Sequence, residues 1–223
     1  MLTANLKPSM QTKLFHKKSN GFTLIELLTV IAIIGILAAI IIPTTGAVRT
    51  SAKKAQVRSM FSQWTTAFTL FKQEYGFFPN LGTDGTDNLL STQNDTLEFL
   101  RAFTAKELNA TDTLTVNLNG NKRRQKFYSF SEAELPTATG FLTDAFGNTQ
   151  FGVIWDINGD GVIKEGVGND GVASAVTSTD GSSFTPTTGN ATADIPTDGI
   201  KAGVIFYSAG KDGSSSNAVM SWK

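Results

Sequence analysis

The chain has 223 residues, of which 40% are hydrophobic and 17% are charged, proportions that are typical of a folded protein. Its 19 basic and 19 acidic side chains give a formal net charge of zero, which argues against a nucleic acid as primary partner. Cysteine is absent, and the single histidine, His16, lies in a basic N-terminal segment. Thiolate catalysis is therefore excluded, and if that segment is removed, serine–histidine triads and ordinary zinc sites are excluded as well, which leaves catalysis by carboxylates or lysines as the one possibility in principle. We therefore predict that the protein is not an enzyme.

The chain begins with a basic segment that is followed by a long apolar run. Residues 1–21 contain no acid and four lysines: Lys7, Lys13, Lys17 and Lys18. As a helix rising ~1.5 Å per residue, Phe22–Ile42 reaches ~30 Å, the thickness of a bilayer's hydrocarbon core. The positive-inside rule then predicts one membrane crossing with a cytoplasmic N-terminus and the remainder outside the cytoplasm. An ordinary secretory signal and a plain single-span anchor are the alternatives.

One acidic residue, Glu26, lies near the start of this apolar run. A carboxylate at the centre of a membrane helix costs ~2.5–3 kcal/mol, less near an end, and such a charge normally has a partner. A buried carboxylate and a buried ammonium are each unfavourable alone and tolerable together. A plain signal or anchor does not explain this acid.

The residues around Glu26, KKSNG followed by FTLIE, resemble the type III signal of type IV pilins and type II secretion pseudopilins, most closely the major pseudopilin type. In that family a prepilin peptidase cleaves after the glycine and methylates the new N-terminal residue. The resemblance therefore implies that residues 1–21 are a leader cleaved after Gly21 and that Phe22 is N-methylated. It also implies that Glu26 pairs with the N-terminal amine of a neighbouring subunit during assembly.

The resemblance implies a structural subunit of a type II secretion pseudopilus or a type IV pilus. Residues 22–43 would cross the bacterial inner membrane once before assembly and form the core of a periplasmic or surface filament afterwards. The implied partners are copies of itself or other pilins, the prepilin peptidase, an inner-membrane assembly platform and membrane lipid. The alternative is a minor pilin or a membrane-tethered calcium-binding adhesin that presents its head to a ligand.

Residues 44–78 predict an amphipathic continuation of the helix. Pro43 and the poor helix formers after it predict a weak or kinked point. A single apolar stripe then follows at spacings of three and four residues: Val57, Phe61, Trp64, Phe68, Phe71 and Tyr75. Such a stripe usually packs on the protein's own sheet, and a seam for a partner helix is the alternative. The glycine and proline of Tyr75–Asn80 predict the helix end.

Residues 79–223 predict a globular head, so the expected fold class is α+β, with the amphipathic helix packed on a small antiparallel β-sheet as in pilins. We expect a helix at about Thr96–Leu108. Three strands are predicted from residues of high β-propensity: Lys126–Phe130, Gln150–Asp156 and Gly199–Ser208. Residues 166–198 are rich in Gly, Ser, Thr and Asp and are expected to form a long surface loop.

Two acidic loops of the head are candidates for structural calcium. The stretch DINGDGVI matches the first half of an EF-hand-type loop, with four candidate ligands: Asp156, Asn158, Asp160 and the carbonyl of Val162. The twelfth position is Val167 where a bidentate glutamate is expected, and the nearby Glu165 is out of register. Another segment or water would have to complete the oxygen shell, and a plain turn is the alternative.

The second candidate is the C-terminal loop, where the resemblance to secretion-type pseudopilins implies that Asp212 binds calcium. Ala218 stands where the family has a second acid before its Ser-Trp ending. Ser214, Ser216 or Asn217 would have to substitute for that acid.

Overall fold

The computed structural model describes residues 21–79, 81, 89–104, 120–135, 140–164, 170, 173–189 and 193–223. The predicted leader, apart from Gly21, lies outside these ranges. The elements in chain order are α1 (Leu24–Tyr75), β1 (Leu89–Leu90), α2 (Gln93–Thr104), β2 (Phe151–Trp155), β3 (Val176–Thr177), β4 (Ser183–Phe184), β5 (Thr188–Gly189), β6 (Ile195–Pro196), β7 (Val204–Ser208) and β8 (Val219–Met220). The chain divides into an N-terminal unit, Met1–Gly46, and a C-terminal unit, Ala47–Lys223.

Helix α1 is continuous over 52 residues, so the predicted weak point at Pro43 does not interrupt it. Whether the helix melts there in a filament stays a prediction. Its C-terminus follows the sequence prediction, because Gly76 adopts a left-handed conformation with φ of 80°. The Gly76 N–H donates to the Lys72 carbonyl at 2.8 Å, which satisfies one of the last carbonyls of the helix.

The central sheet has four antiparallel strands in the order β1-β2-β7-β8. Strand β2 confirms the strand predicted at Gln150–Asp156, and β7 occupies the C-terminal half of the one predicted at Gly199–Ser208. All five residues of β2 and all five of β7 are buried. Since successive side chains of a strand point to opposite faces, both faces of this sheet are covered.

The apolar stripe of α1 covers the first face, so the predicted packing of the stripe on the chain's own sheet is confirmed. Phe61 stacks on Phe206 of β7 with ring centroids 5.8 Å apart, and Trp64 packs edge-on against Phe151 of β2 at 5.3 Å. Phe99 of α2 closes the cluster, 5.0 Å from the Trp64 ring. Each such aromatic side chain contributes ~1.5–3 kcal/mol through burial.

Residues 173–189 and 193–198 cover the second face, so the surface loop expected over residues 166–198 is corrected for the part that the structure describes. They form β3 to β6 and bury four apolar side chains in a second core cluster: Ala173, Val176, Phe184 and Ile195. Tyr207 of β7 fixes this cover, because its hydroxyl donates to the Ser174 carbonyl at 2.8 Å and accepts the Ser174 N–H at 2.7 Å. A few apolar residues in a polar segment are therefore enough to hold it on the sheet.

The C-terminus of the chain is bonded to this same cover through Asp194. The Trp222 indole donates to the Asp194 carbonyl at 2.8 Å, and the Lys223 ammonium lies 2.5 Å from the Asp194 carboxylate. Burial raises the pKa of Asp194, but the bonds from Lys223 and Thr187 outweigh that effect and leave this pKa below its ordinary value.

A buried carboxylate, Asp144, organises the turn before β2. Its oxygens accept hydrogen bonds from the Asn148 backbone and side-chain amides and from the Ser208 hydroxyl, at 2.9 to 3.0 Å. The Asn148 side chain continues the network to the Gly210 carbonyl and the Thr179 N–H. Burial raises the pKa of Asp144 above its ordinary value because it removes the charged form from water.

Two local predictions are corrected. Helix α2 begins at Gln93 rather than near Thr96, because Thr92 and Asp95 form a capping box whose bonds measure 2.7 and 3.1 Å. Its predicted end at Leu108 lies outside the described residues. The strand predicted at Lys126–Phe130 is wrong: two successive N–H groups of this segment donate to the Phe103 carbonyl of α2 instead of to a neighbouring strand.

Candidate functional site

The start of α1 is a capping box formed by Thr23 and Glu26. Glu26 Oε2 accepts hydrogen bonds from the Thr23 N–H at 2.8 Å and from the Thr23 hydroxyl at 2.7 Å. The Glu26 N–H donates back to the Thr23 hydroxyl at 3.3 Å. Helical structure begins at Leu24, directly after Thr23, so the carboxylate sits in the first turn where the helix dipole favours negative charge.

This geometry gives Glu26 a partner inside its own chain, which the sequence reasoning missed. The signal was present in the sequence, since a threonine followed three residues later by a glutamate before an apolar run is the pattern of a capping box. Glu26 therefore has two separable properties: an oxygen that caps the helix and a negative charge. A glutamine keeps the first and removes the second.

The N-terminal unit presents its apolar side chains to solvent. All 14 large hydrophobic residues between Phe22 and Ile42 are exposed, with exposed fractions of 46% to 87%. In the part of the chain that the structure describes, α1 is the one helix whose length and composition allow a membrane crossing, with a mean hydropathy of 2.9 over its most apolar 18 residues. An apolar surface this long is unfavourable in water and requires lipid or other protein chains around it.

The first acidic loop is a turn whose side-chain oxygens accept hydrogen bonds from its own backbone. Asn158 Oδ1 accepts the Asp160 N–H, and Asp160 Oδ1 accepts the Val162 N–H, both at 2.8 Å. The buried Asp156 carboxylate accepts three further N–H groups, those of Gly159 (2.7 Å), Asp160 (3.2 Å) and Gly161 (2.9 Å). The structure thus brings the four predicted residues into one turn, and these hydrogen bonds are those of a turn that needs no ion to hold it.

Among the residues that the structure describes, the surroundings of this turn supply no further ligand set. Asp170 is buried beside it, but its oxygens accept the backbone N–H groups of Ile157 at 3.3 Å and Lys164 at 2.9 Å. Within the described ranges there is no group of three or more His, Cys, Asp or Glu residues that could hold a metal. Val167 and Glu165 lie outside those ranges.

In the second acidic loop, two of the suggested substitutes contact Asp212. Its carboxylate accepts the Ser214 hydroxyl at 2.6 Å and the Asn217 side-chain amide at 2.8 Å. The Ser216 hydroxyl lies 3.2 Å from that of Ser214. The bonds from Ser214, above all from its hydroxyl, lower the pKa of Asp212.

A second carboxylate, Asp180, lies near Asp212 and was not identified from the sequence. It belongs to the turn between β3 and β4, which packs against the Asp212 loop where Gly213 faces Ser182. The Ser178 hydroxyl donates to it and lowers its pKa. No local pattern links the two residues, because 32 positions separate them and they meet only through the folding of residues 173–189 onto the sheet.

Comparison with known protein families gives one match. Residues 16–42 match the prokaryotic N-terminal methylation motif, a segment that contains Gly21, Phe22 and Glu26. No solved structure matches the chain.

Two curated proteins are similar to this chain. The fimbrial protein EcpB of Eikenella corrodens is 34% identical over 125 residues, which cover 55% of this chain and 76% of EcpB. The type IV major pilin protein PilA of Myxococcus xanthus is 36% identical over 83 residues, which cover 33% of this chain and 38% of PilA. The chain therefore belongs to the type IV pilin family, whose members are structural subunits and not enzymes.

Proposed function

We propose that this chain is a structural subunit of a type IV pilus. The exposed apolar surface of the N-terminal unit carries this proposal, because the C-terminal unit buries both faces of its own sheet whereas the large apolar side chains between Phe22 and Ile42 are exposed. The two relatives, a fimbrial protein and a type IV major pilin, favour a pilus over a type II secretion pseudopilus. A pseudopilus subunit remains the alternative within the same class.

In this proposal the apolar helix has two successive environments. Before assembly it crosses the inner membrane once, with the N-terminus cytoplasmic and the head outside the cytoplasm. A prepilin peptidase cleaves after Gly21 and methylates Phe22, and an inner-membrane assembly platform transfers the helix from lipid into the filament. In the filament the same side chains contact copies of themselves, so the apolar surface stays out of water in both states.

The charge of Glu26 selects the register of assembly in this proposal. The carboxylate pairs with the Phe22 amine of a neighbouring copy. The free-energy cost of removing a paired ammonium and carboxylate from water is far lower than the cost of removing either charge alone. The capping box keeps the carboxylate oriented at the helix start until that pairing occurs.

Two variants of Glu26 test this role against the capping role. Glu26→Ala removes the charge and the cap, whereas Glu26→Gln keeps an oxygen that can accept the Thr23 bonds and removes only the charge. We expect both variants to insert into the membrane and both to lose filament formation. Filament yield from Glu26→Gln equal to that of the wild type, with Glu26→Ala defective, would assign the residue to helix capping alone.

A ligand-presenting head, as in a minor pilin or an adhesin, is the second candidate function. It is supported by a cavity of about 530 Å³ between α1 and the loop residues 128–134 and 143–145. Gln63, Tyr128 and Glu134 line it, and the Tyr128 hydroxyl donates to Glu134 at 2.5 Å. Amide, hydroxyl and aromatic groups suit a neutral, hydroxyl-rich ligand. The test is binding to an array of neutral glycans, with Tyr128→Ala as control.

We propose calcium only as a structural ion of the acidic loops. Carboxylate, hydroxyl and carbonyl oxygens are the ligands that Ca²⁺ prefers, and both loops contain them. Of the two, the second loop gives the stronger support, because the turn that holds Asp180 packs against it where Gly213 faces Ser182, which adds a second carboxylate to the loop that holds Asp212.

A further inference from the structure

Positive charge is concentrated on α1. No acidic residue occurs between Leu27 and Gln73, but five cations do: Arg49, Lys53, Lys54, Arg58 and Lys72. Residues 79–223, in contrast, contain ten basic and 17 acidic side chains, a net charge of −7. Four of the cations follow the apolar run within 16 residues on the exported side, where the positive-inside rule expects few. This charge distribution therefore needs an explanation.

Three of the five cations have partners within the chain. The contacts join Lys54 Nζ to the Ser216 carbonyl (2.6 Å), Lys53 Nζ to the centre of the Phe146 ring (5.4 Å) and Lys72 Nζ to the Asp156 carboxylate (4.0 Å). Arg49 and Arg58 are exposed, and neither makes a hydrogen bond or ion pair with any residue that the structure describes. These two guanidinium groups are available to another molecule.

The chemistry of a guanidinium group limits what that molecule presents. Its planar fork of donors matches carboxylates and phosphates, with which it forms two parallel hydrogen bonds. Phosphates of lipid headgroups suit Arg49 but not Arg58. Sixteen residues separate Arg58 from Ile42, a rise of ~24 Å in a helix, whereas a headgroup layer is only ~5–7 Å deep. Carboxylates of a protein partner suit both arginines.

A filament of this chain supplies such carboxylates. When the helices of successive copies are brought together, their cations repel one another by ~1 to 4 kcal/mol per close pair, depending on exposure to water. The described α1 has only Glu26 and Glu74, at its two ends, to offset this repulsion. The acidic heads of neighbouring copies are the remaining source of negative charge, and a head-to-tail interface repeated along the filament places unlike surfaces together.

We propose that Arg49 and Arg58 of one copy pair with carboxylates on the head of a neighbouring copy. Asp198 is the first candidate, because it is exposed in the turn after β6 and makes no hydrogen bond or ion pair with a described residue. Asp160 and Asp180 are also exposed, but both already accept hydrogen bonds within the chain. This inference rests on the proposed function as a filament subunit.

Charge neutralisation is the first test. The double variant Arg49→Gln/Arg58→Gln is compared with a control, Lys122→Gln/Lys126→Gln, which removes two exposed cations from the head. We expect the arginine variant to lower filament yield about tenfold while the control does not, with membrane insertion and melting temperature unchanged in both. Loss of anionic-lipid binding in vesicles without loss of filament yield would overturn the proposal in favour of a lipid contact.

Cross-linking is the second test, and the absence of native cysteine makes it specific. Filaments are assembled from a mixture of Arg58→Cys and Asp198→Cys chains and then oxidised, so that a disulfide between the two variants joins separate copies. Asp160→Cys and Asp180→Cys replace Asp198→Cys in parallel, and Lys126→Cys is the control. A heterodimer with one of the three aspartate variants supports the proposal.

The outcomes separate this inference from the proposed function. No filaments from the wild-type chain would overturn both. Wild-type filaments together with normal yield from Arg49→Gln/Arg58→Gln would overturn only the charge pairing. A reduced yield without a heterodimer to any of the three aspartate variants would overturn the assignment to head carboxylates.

Discussion

The two ends of α1 are both rich in large apolar residues, yet their environments are opposite. Near the N-terminus, the side chains of Leu24–Ile42 are exposed, whereas the stripe from Val57 to Phe71 is completely buried. The difference lies in the pattern of apolar residues. The first segment is apolar around the whole helix and needs cover on every side, while the second is apolar on one face and finds its cover in its own sheet. The pattern of apolar residues therefore predicts whether the surface that covers a helix belongs to the same chain.

The buried end of the helix should respond most strongly to truncation. Trp64→Ala removes a side chain that is completely buried among Phe61, Phe99, Phe151 and Phe206. We expect a loss of about 3–5 kcal/mol in the free energy of unfolding, because the cavity cannot fully collapse. Thermal unfolding in detergent measures it, with Leu28→Ala as the matched control at the exposed end. Equal losses in the two variants would contradict the comparison.

The cover on the second face of the sheet should depend on Tyr207. Tyr207→Phe keeps the ring and removes the hydroxyl that bonds both polar groups of the Ser174 peptide. We expect a loss of about 1–3 kcal/mol, because these backbone groups lose their partner while partly buried. Hydrogen exchange should show faster exchange in residues 173–189 and no change in the α1 stripe. Exchange that rises equally in both regions would mean that the two faces are not separate units.

The ion pair at the C-terminus should make stability depend on pH. Because the pKa of Asp194 in the folded state is below its ordinary value of 3.8, its contribution is present above that value and is lost as the pH falls through the folded pKa. Asp194→Ala should cost about 1–3 kcal/mol at neutral pH, and the difference in melting temperature from the wild type should shrink in acid. A difference that stays constant with pH would exclude this role.

Asp144 should make the folding stability depend on pH in the opposite direction. Its raised pKa means that its contribution is present below its ordinary value and is lost as the pH rises through the folded pKa. The Asp194 effect should therefore be measured as a difference between variant and wild type rather than as the raw pH profile, because that difference cancels the contribution of Asp144.

Calcium is expected to have the smallest effect. If an acidic loop binds the ion, a chelator should lower the melting temperature of the wild-type chain, and Asp212→Ala or Asp160→Ala should abolish that shift at its own loop. An unchanged melting temperature would leave both loops as turns held by their own hydrogen bonds.

The features that were predictable from the sequence are those set by local periodicity. The stripe from Val57 to Tyr75 and strands β2 and β7 carry strong patterns of their own, and their burial follows from them. Lys126–Phe130 has a similar composition but pairs with no strand among the described residues, because strand pairing depends on distant residues. The cover formed by residues 173–189 and 193–198 was not predicted for the same reason, since its few apolar residues have no regular spacing. At the start of α1, the capping role of Thr23 was predictable from its spacing to Glu26 but was not among the predictions.

The central claim is that the exposed end of α1 meets other copies of the same chain after the leader is removed. The most direct measurement is the mass of the N-terminal peptide from sheared and purified filaments. We predict a chain that begins at Phe22 and carries one N-terminal methyl group. An intact Met1 terminus in assembled material, or filaments that lack the chain, would contradict the account.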